Sequence, residues 1–136
     1  MTLLSVRNLE VHLPTTHGVV HAVNGLDLDI AASETVGLIG ESGCGKSTLG
    51  KALLRLVPST GGSISLAGQD ITHLDARGLK PVRPKIQMVF QDNASALNPR
   101  HTVGQSISQP LRLNGWSKRD ARTHTEGLLE IGRAHV

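Results

Sequence analysis

The sequence predicts an α/β domain, and two observations carry that prediction. The first is a strand–loop–helix unit near the front of the chain. An apolar run, Thr35-Val36-Gly37-Leu38-Ile39, leads into Gly40-Glu41-Ser42-Gly43-Cys44-Gly45-Lys46-Ser47-Thr48, and a helix-like stretch from Ser47 to Leu56 follows. The second is the order of the periodicities, with strand-like alternation early and helical patterns late. The central segment fits G-x-x-x-x-G-K-[ST], the pattern of a phosphate-binding loop. Its chemistry suits a triphosphate. Glycines let backbone N–H groups turn inward, and a helix N-terminus adds about half a positive charge. Lys46 is expected to reach the β/γ-phosphates, and the Ser47 hydroxyl to ligate Mg²⁺. Glu41 and Thr48 need supply only their backbone N–H groups.

The remaining elements follow in order. Leu3 to Leu13 alternates in part and reads as a strand. Val19 to Ile30 alternates more clearly, with Val23, Leu26, Leu28 and Ile30 apolar and Asn24, Asp27 and Asp29 between them. Gly25 marks a bulge or turn within it. Thr35 to Ile39 is the strand entering the loop. Pro58 to Gly62 is rich in turn formers, and Gly62 to Gly68 is a short strand ending in a turn. Asp75 to Leu79 is a helical turn. Lys85 to Phe90 reads as a buried strand. Thr102 to Leu113 is helix-like despite Gly104, with Pro110 expected to end or kink it. Ser117-Lys118-Arg119-Asp120 resembles a capping box opening a last helix toward Leu129.

Composition narrows the function classes. The chain has 136 residues and a net charge of +3 with neutral histidines. That is enough for one small domain with a core. No run is long and apolar enough for a membrane helix. The N-terminus lacks the pattern of a secretory signal. Cys44 is the only cysteine. A disulfide framework is therefore impossible, and a reducing setting fits. Its place at a helix N-terminus can make a thiol oxidisable, although a small residue filling a tight loop is the simpler account. Arg77, Lys80, Arg83 and Lys85 form a basic cluster, but Phe90 and Trp116 are the only large aromatics. Without a stacking platform for bases the cluster reads as solvated surface, and no nucleic-acid partner is expected.

One phosphate loop does not choose among nucleotide-hydrolysing families. Further along come Val89-Phe90-Gln91-Asp92, then Ala96-Leu97-Asn98-Pro99-Arg100 and Thr102-Val103-Gly104. Together with Gly40–Thr48, Ala22-Val23-Asn24-Gly25-Leu26, Gly61-Gly62-Ser63-Ile64 and Pro110-Leu111-Arg112, these closely resemble ATP-binding subunits of ABC transporters. The branch is the one that imports di- and oligopeptides and, in some members, nickel or glutathione. The resemblance implies a P-loop fold of the ABC type with ATP and Mg²⁺ as cofactors. It implies a second ATP-binding subunit, identical or not, and integral membrane permease subunits as partners, with a solute-binding protein acting indirectly. It places the parent at the cytoplasmic face of the cell membrane as a peripheral subunit. By position Gln91 matches the glutamine that helps hold Mg²⁺ and the attacking water. A neutral amide can do both without adding negative charge beside phosphates. Lys46 and Gln91 are thus the candidate catalytic residues, and Ser47 and Gln91 the candidate metal ligands. Asn98-Pro99-Arg100 lies where the family turns toward its membrane partner, and equally reads as a loop capping the next helix.

Departures from the family pattern also matter. An aromatic that stacks on adenine is expected where Leu13 stands, with His12 or His17 as possible substitutes. The family's Leu-Ser-Gly-Gly-Gln signature, second acidic strand and switch histidine do not occur in these residues. Residues 1–130 are therefore expected to be the N-terminal part of the ATP-binding domain, ending within its helical subdomain. As given, they are expected to bind nucleotide without transporter-like hydrolysis. Glu130-Ile131-Gly132-Arg133-Ala134-His135-Val136 is what GAG ATC GGA AGA GCA CAC GTC encodes, the start of a sequencing-library adapter. Residues 131–136 are accordingly expected to be a non-native tail. The competing functional class is a soluble ABC-type ATPase acting on DNA or ribosomes, against which the Ala96–Arg100 stretch argues. A third possibility is an ATP-binding fragment with no catalysis.

Overall fold

The imperfect alternation of the first strand has a structural cause. In the computed structural model, which describes residues 2–92 and 96–133, β1 (Thr2–Thr15) pairs antiparallel with β2 (Gly18–Ala31). Leu4, Val6, Leu9 and Val11 are all buried. The step from Val6 to Leu9 is three residues rather than two because a bulge at Asn8, φ 44°, takes up the extra one. The bulge keeps Leu9 on the core face, and the Asp27 carboxylate accepts the Asn8 N–H at 2.6 Å. Gly25, at φ 68°, does the same for β2, carrying the core face from Val23 to Leu26. A second β2 bulge at Ala22 separates the Val11–Val23 and His12–His21 pairs.

The chain divides into two compact units, residues 1–88 and 89–136. In the first, β3 (Gly61–Leu66) adds to β1, and β4 (Gln69–Asp70) adds to β3, giving a four-stranded antiparallel sheet in the order β2-β1-β3-β4. Gly62, φ 79°, passes so close to the carbonyls of Arg7 and Asn8 that a Cβ there would overlap both. Ala67 and Gly68, both at positive φ, make the tight turn into β4. Thr72, 1% exposed, pins this hairpin: its hydroxyl accepts the Ile64 N–H at 2.8 Å.

Helix α1 (Lys46–Leu53) buries Leu49 and Ala52. They join Val6, Leu9, Val11, Val23, Ile64, Ile71 and Val82 in one core. Burying an aliphatic side chain of this size contributes about 1.5–3 kcal/mol. Helix α2 (Ala76–Leu79) is capped by the Asp75 side chain, which accepts the Gly78 N–H at 2.8 Å. A single 3-10 turn, Arg83–Lys85, follows.

The second unit contains α3 (Val103–Leu113) and α4 (Lys118–Arg133), which pack on each other. Thr102 and Gln105 form a reciprocal capping box, with bonds of 3.2 and 2.9 Å. Ser117 caps α4 by accepting the Asp120 N–H at 3.1 Å. Ala121 and Thr125 of α4 are buried.

Three expectations are corrected. Thr35–Ile39 and Lys85–Phe90 are not strands among the described residues; Ile39 is 97% exposed and Val89 92%. An apolar run becomes a strand only where a neighbour supplies the ladder, and the described sheet contains neither segment. Pro110 does not end its helix: α3 continues through it to Leu113. The N–H that proline lacks costs one hydrogen bond, and α3 then closes with Asn114 and Gly115 bonding back to Pro110 and Arg112. Residues 134–136 of the expected tail lie outside the described residues.

Candidate functional site

The loop Gly40–Thr48 lies in the first unit, and its shape follows from its glycines. Gly43 and Gly45 sit at φ 82° and 97°, where side chains are strained. Cys44 N–H bonds back to Glu41 O at 3.3 Å, closing a turn. Gly45 is the N-cap of α1, with no side-chain cap and no acidic residue in the first turn. The first amides of a helix have no intrahelical acceptor, so those of α1 are directed out of its N-terminus with their partial positive charge unopposed.

Lys46 folds back over the loop. Its ammonium donates to Gly40 O and Glu41 O, both at 2.6 Å, and lies 3.5 Å from Cys44 Sγ. The cation therefore stands at the mouth of the loop. Ser47 is exposed at the start of α1. Seen as chemistry, the arrangement offers an incoming anion a lysine charge, the uncapped amides at the start of α1 and a hydroxyl.

A cavity of about 270 Å³ adjoins the loop, lined by Ala22, Asn24, Leu38, Cys44, Lys46 and Leu49 among others. Ligand pockets usually start near 300 Å³. Gly45 is held against its β2 wall: a Cβ on Gly45 would overlap the carbonyl oxygen of Ala22.

The structure separates the candidates for the base-stacking position. Leu13 is partly buried against the core and does not line the cavity. His12 pairs with His21, ring centroids 4.1 Å apart. Alternation along β1 puts His12 on the opposite face from Leu13. Its Nε2 is 3.8 Å from Glu10 Oε2. His17 is exposed in the hairpin turn.

Gln91 belongs to the second unit and is exposed. Asn98 and His101 form a tight turn there: Asn98 Oδ1 accepts the Arg100 N–H at 3.0 Å, and Asn98 O accepts the His101 N–H at 3.0 Å. This geometry matches a loop leading into α3. In the basic cluster Arg77, Lys80 and Lys85 are solvated as expected, but Arg83 is bonded to the end of α1. Sequence reading also missed the Ala22 bulge beside the loop, for which the alternation of β2 held no distinct signal.

Comparison with known proteins places these features in context. A family model described as ABC transporter matches residues 23–134. The glutathione import ATP-binding protein GsiA of Salmonella typhimurium (strain LT2) is 47% identical over 126 residues, covering 88% of this chain and 20% of that protein. The protein of the same name from Escherichia coli (strain K12) is 45% identical over 136 residues, covering 94% of this chain and 22% of its own length. The chain thus spans about a fifth of the length of these curated relatives. Among solved structures, the ATP-binding cassette MJ0796 in a dimeric post-hydrolysis state bound to ADP and Pi aligns with a TM-score of 0.81 at 22% identity. It covers 96% of this chain and 57% of that one. A second dimeric structure of MJ0796, described as a bacterial ABC transporter cassette, gives 0.77 at 22% identity, covering 89% and 53%.

Proposed function

The chain belongs to the ABC transporter family, and on that premise we propose that Gly40–Thr48 binds the triphosphate of ATP. The observation that carries this is the Lys46 ammonium bridging Gly40 O and Glu41 O at the mouth of a loop closed by two positive-φ glycines. Backbone N–H groups at the start of α1 take the phosphate oxygens, and Lys46 neutralises charge on the β/γ-phosphates. Ser47 would supply a hydroxyl to Mg²⁺. Phosphoryl transfer depends mainly on positioning and charge stabilisation, which is what these groups offer.

The whole protein, in this proposal, is the ATPase subunit of an importer for a small peptide such as glutathione, the cargo named for the relatives from Salmonella and Escherichia coli. A second ATP-binding subunit and membrane permeases complete it. The dimeric state of the MJ0796 cassette supports a paired arrangement. Residues 131–136 are proposed to be a non-native tail.

Calorimetric titration of the chain with MgATP, repeated in the presence of inorganic tripolyphosphate, tests the binding assignment. Saturable binding with competition by tripolyphosphate is expected. Binding that tripolyphosphate leaves untouched would move the site away from the loop.

A further inference from the structure

We infer that Arg83 is a positioning residue for the phosphate loop, acting through the far end of α1. The inference rests on the nucleotide assignment above.

A helix leaves carbonyls without intrahelical partners at its C-terminus. At the end of α1, Arg55 N–H bonds to Ala52 O at 2.8 Å and Leu56 N–H to Lys51 O at 2.9 Å. With Leu54 as C-cap this is a Schellman motif, and it satisfies two carbonyls. Further along, Leu54 O and Arg55 O are taken by one guanidinium: Arg83 Nη1 donates to Leu54 O and Nη2 to Arg55 O, the latter at 3.2 Å. A planar fork can span two successive carbonyls in this way, and a lysine ammonium cannot reproduce the geometry. The cation also sits at the negative end of the helix dipole.

The site has been made at a conformational cost. The left-handed residue of such a motif is usually glycine, and α3 ends that way with Gly115 at φ 91°. In α1 the same place is held by Arg55 at φ 55°. Its side chain is engaged, with Nε donating to Ile71 O at 3.0 Å, and Ile71 is 1% exposed in the core. Two arginines therefore tie the end of α1 to the sheet unit.

Geometry connects this clamp to the phosphate loop. Helix α1 has eight residues, so it is about 12 Å long. A tilt of about 10° around its far end would carry Gly45 and Lys46 by about 2 Å. Displacements of that size matter where charged groups must meet phosphate oxygens.

The test uses the full chain and four variants: Arg83→Ala, Arg83→Lys, Thr72→Ala and Lys46→Ala. Amide hydrogen exchange reads the mobility of α1, and calorimetry reads MgATP affinity. Arg83→Ala is expected to speed exchange in α1 while sparing β1, and to weaken MgATP about three- to tenfold. Arg83→Lys should fall between it and the parent. Thr72→Ala loosens the β3–β4 hairpin without touching α1, so it should lower stability and leave affinity unchanged. Unaltered α1 exchange and affinity in Arg83→Ala would overturn the inference. So would an equal loss of affinity in Thr72→Ala at matched stability, because affinity would then follow global stability alone. A parent chain that binds MgATP no better than Lys46→Ala overturns the nucleotide assignment and the positioning role with it. In that case a response of α1 exchange to Arg83→Ala still identifies the structural clamp.

Discussion

Gly45 lies directly against the backbone carbonyl of Ala22, joining the N-terminus of the phosphate helix to a bulge in β2. No side chain fits between them. The loop is thus seated on the sheet by backbone contact, while Gly43 faces open space.

The first prediction separates that contact from backbone strain. Gly43→Ala meets open space and suffers only from its positive φ. Its cost should be about 1 kcal/mol. Gly45→Ala meets the same strain plus a backbone overlap that cannot be relieved by a rotamer. It should lose at least about 1–3 kcal/mol more. Urea denaturation of both variants measures the difference. Equal losses would mean that the Ala22 contact does not constrain the loop.

A second prediction concerns Cys44. Its thiol is exposed, and a Cβ on Gly40 would lie 2.5 Å from Sγ, so space on that side is closed. An alkyl group added to Sγ must project toward the mouth of the loop. Modification with a maleimide should abolish MgATP binding, and MgATP present beforehand should slow the modification. Full binding by the alkylated chain would place the phosphates elsewhere.

How much of this was legible in the sequence differs by element. The turn at Gly40–Thr48 and the helix behind it were legible because the motif is local: its spacing fixes where the glycines and Lys46 fall. β1 and β2 were legible through their alternation, and Gly25 correctly marked a bulge. The Thr102–Gln105 capping box stands in the sequence as T-x-x-Q, the same local pattern type as Ser117–Asp120. The strands expected at Thr35–Ile39 and Lys85–Phe90 failed for a nonlocal reason. Apolar content gives a segment the capacity to be a strand, but pairing is decided by a neighbour. Arg83 was unreadable for the same reason: a basic residue in a Pro-interrupted stretch gives no hint that two helix carbonyls await it.

A third prediction addresses the base. Leu13→Tyr should tighten ATP more than it tightens tripolyphosphate, because only the base can stack. Stacking on an aromatic is worth about 1–3 kcal/mol in nucleic-acid complexes, although partial burial of Leu13 will reduce the gain. The comparison needs parallel titrations of both ligands. Identical changes for the two would show that Leu13 does not face the adenine.

The acid limb of stability supplies a fourth prediction. Asp70 is held below the ordinary carboxylate range by the Thr72 side chain first, and then by the Thr72 N–H, which it accepts at 2.8 Å. A carboxylate depressed in the folded state stabilises it above the unfolded pKa, about 3.9. That contribution is lost as pH falls through the lower folded value. Asp70→Asn should therefore lower the melting temperature slightly at neutral pH, and the gap should close below about pH 4. The effect is small because the carboxylate is exposed to solvent. A gap that widens in acid would contradict the assignment.

The most direct measurement compares MgATP binding by the parent chain and by Lys46→Ala in a calorimeter. Lys46 places its charge at the loop mouth through bonds to Gly40 O and Glu41 O. A charge-assisted contact contributes about 1.5–3 kcal/mol, so its removal should weaken binding roughly ten- to hundredfold. A loss in that range, with the fold intact by circular dichroism, is the expected result. Equal affinity in the two chains would contradict the claim that this loop holds the triphosphate.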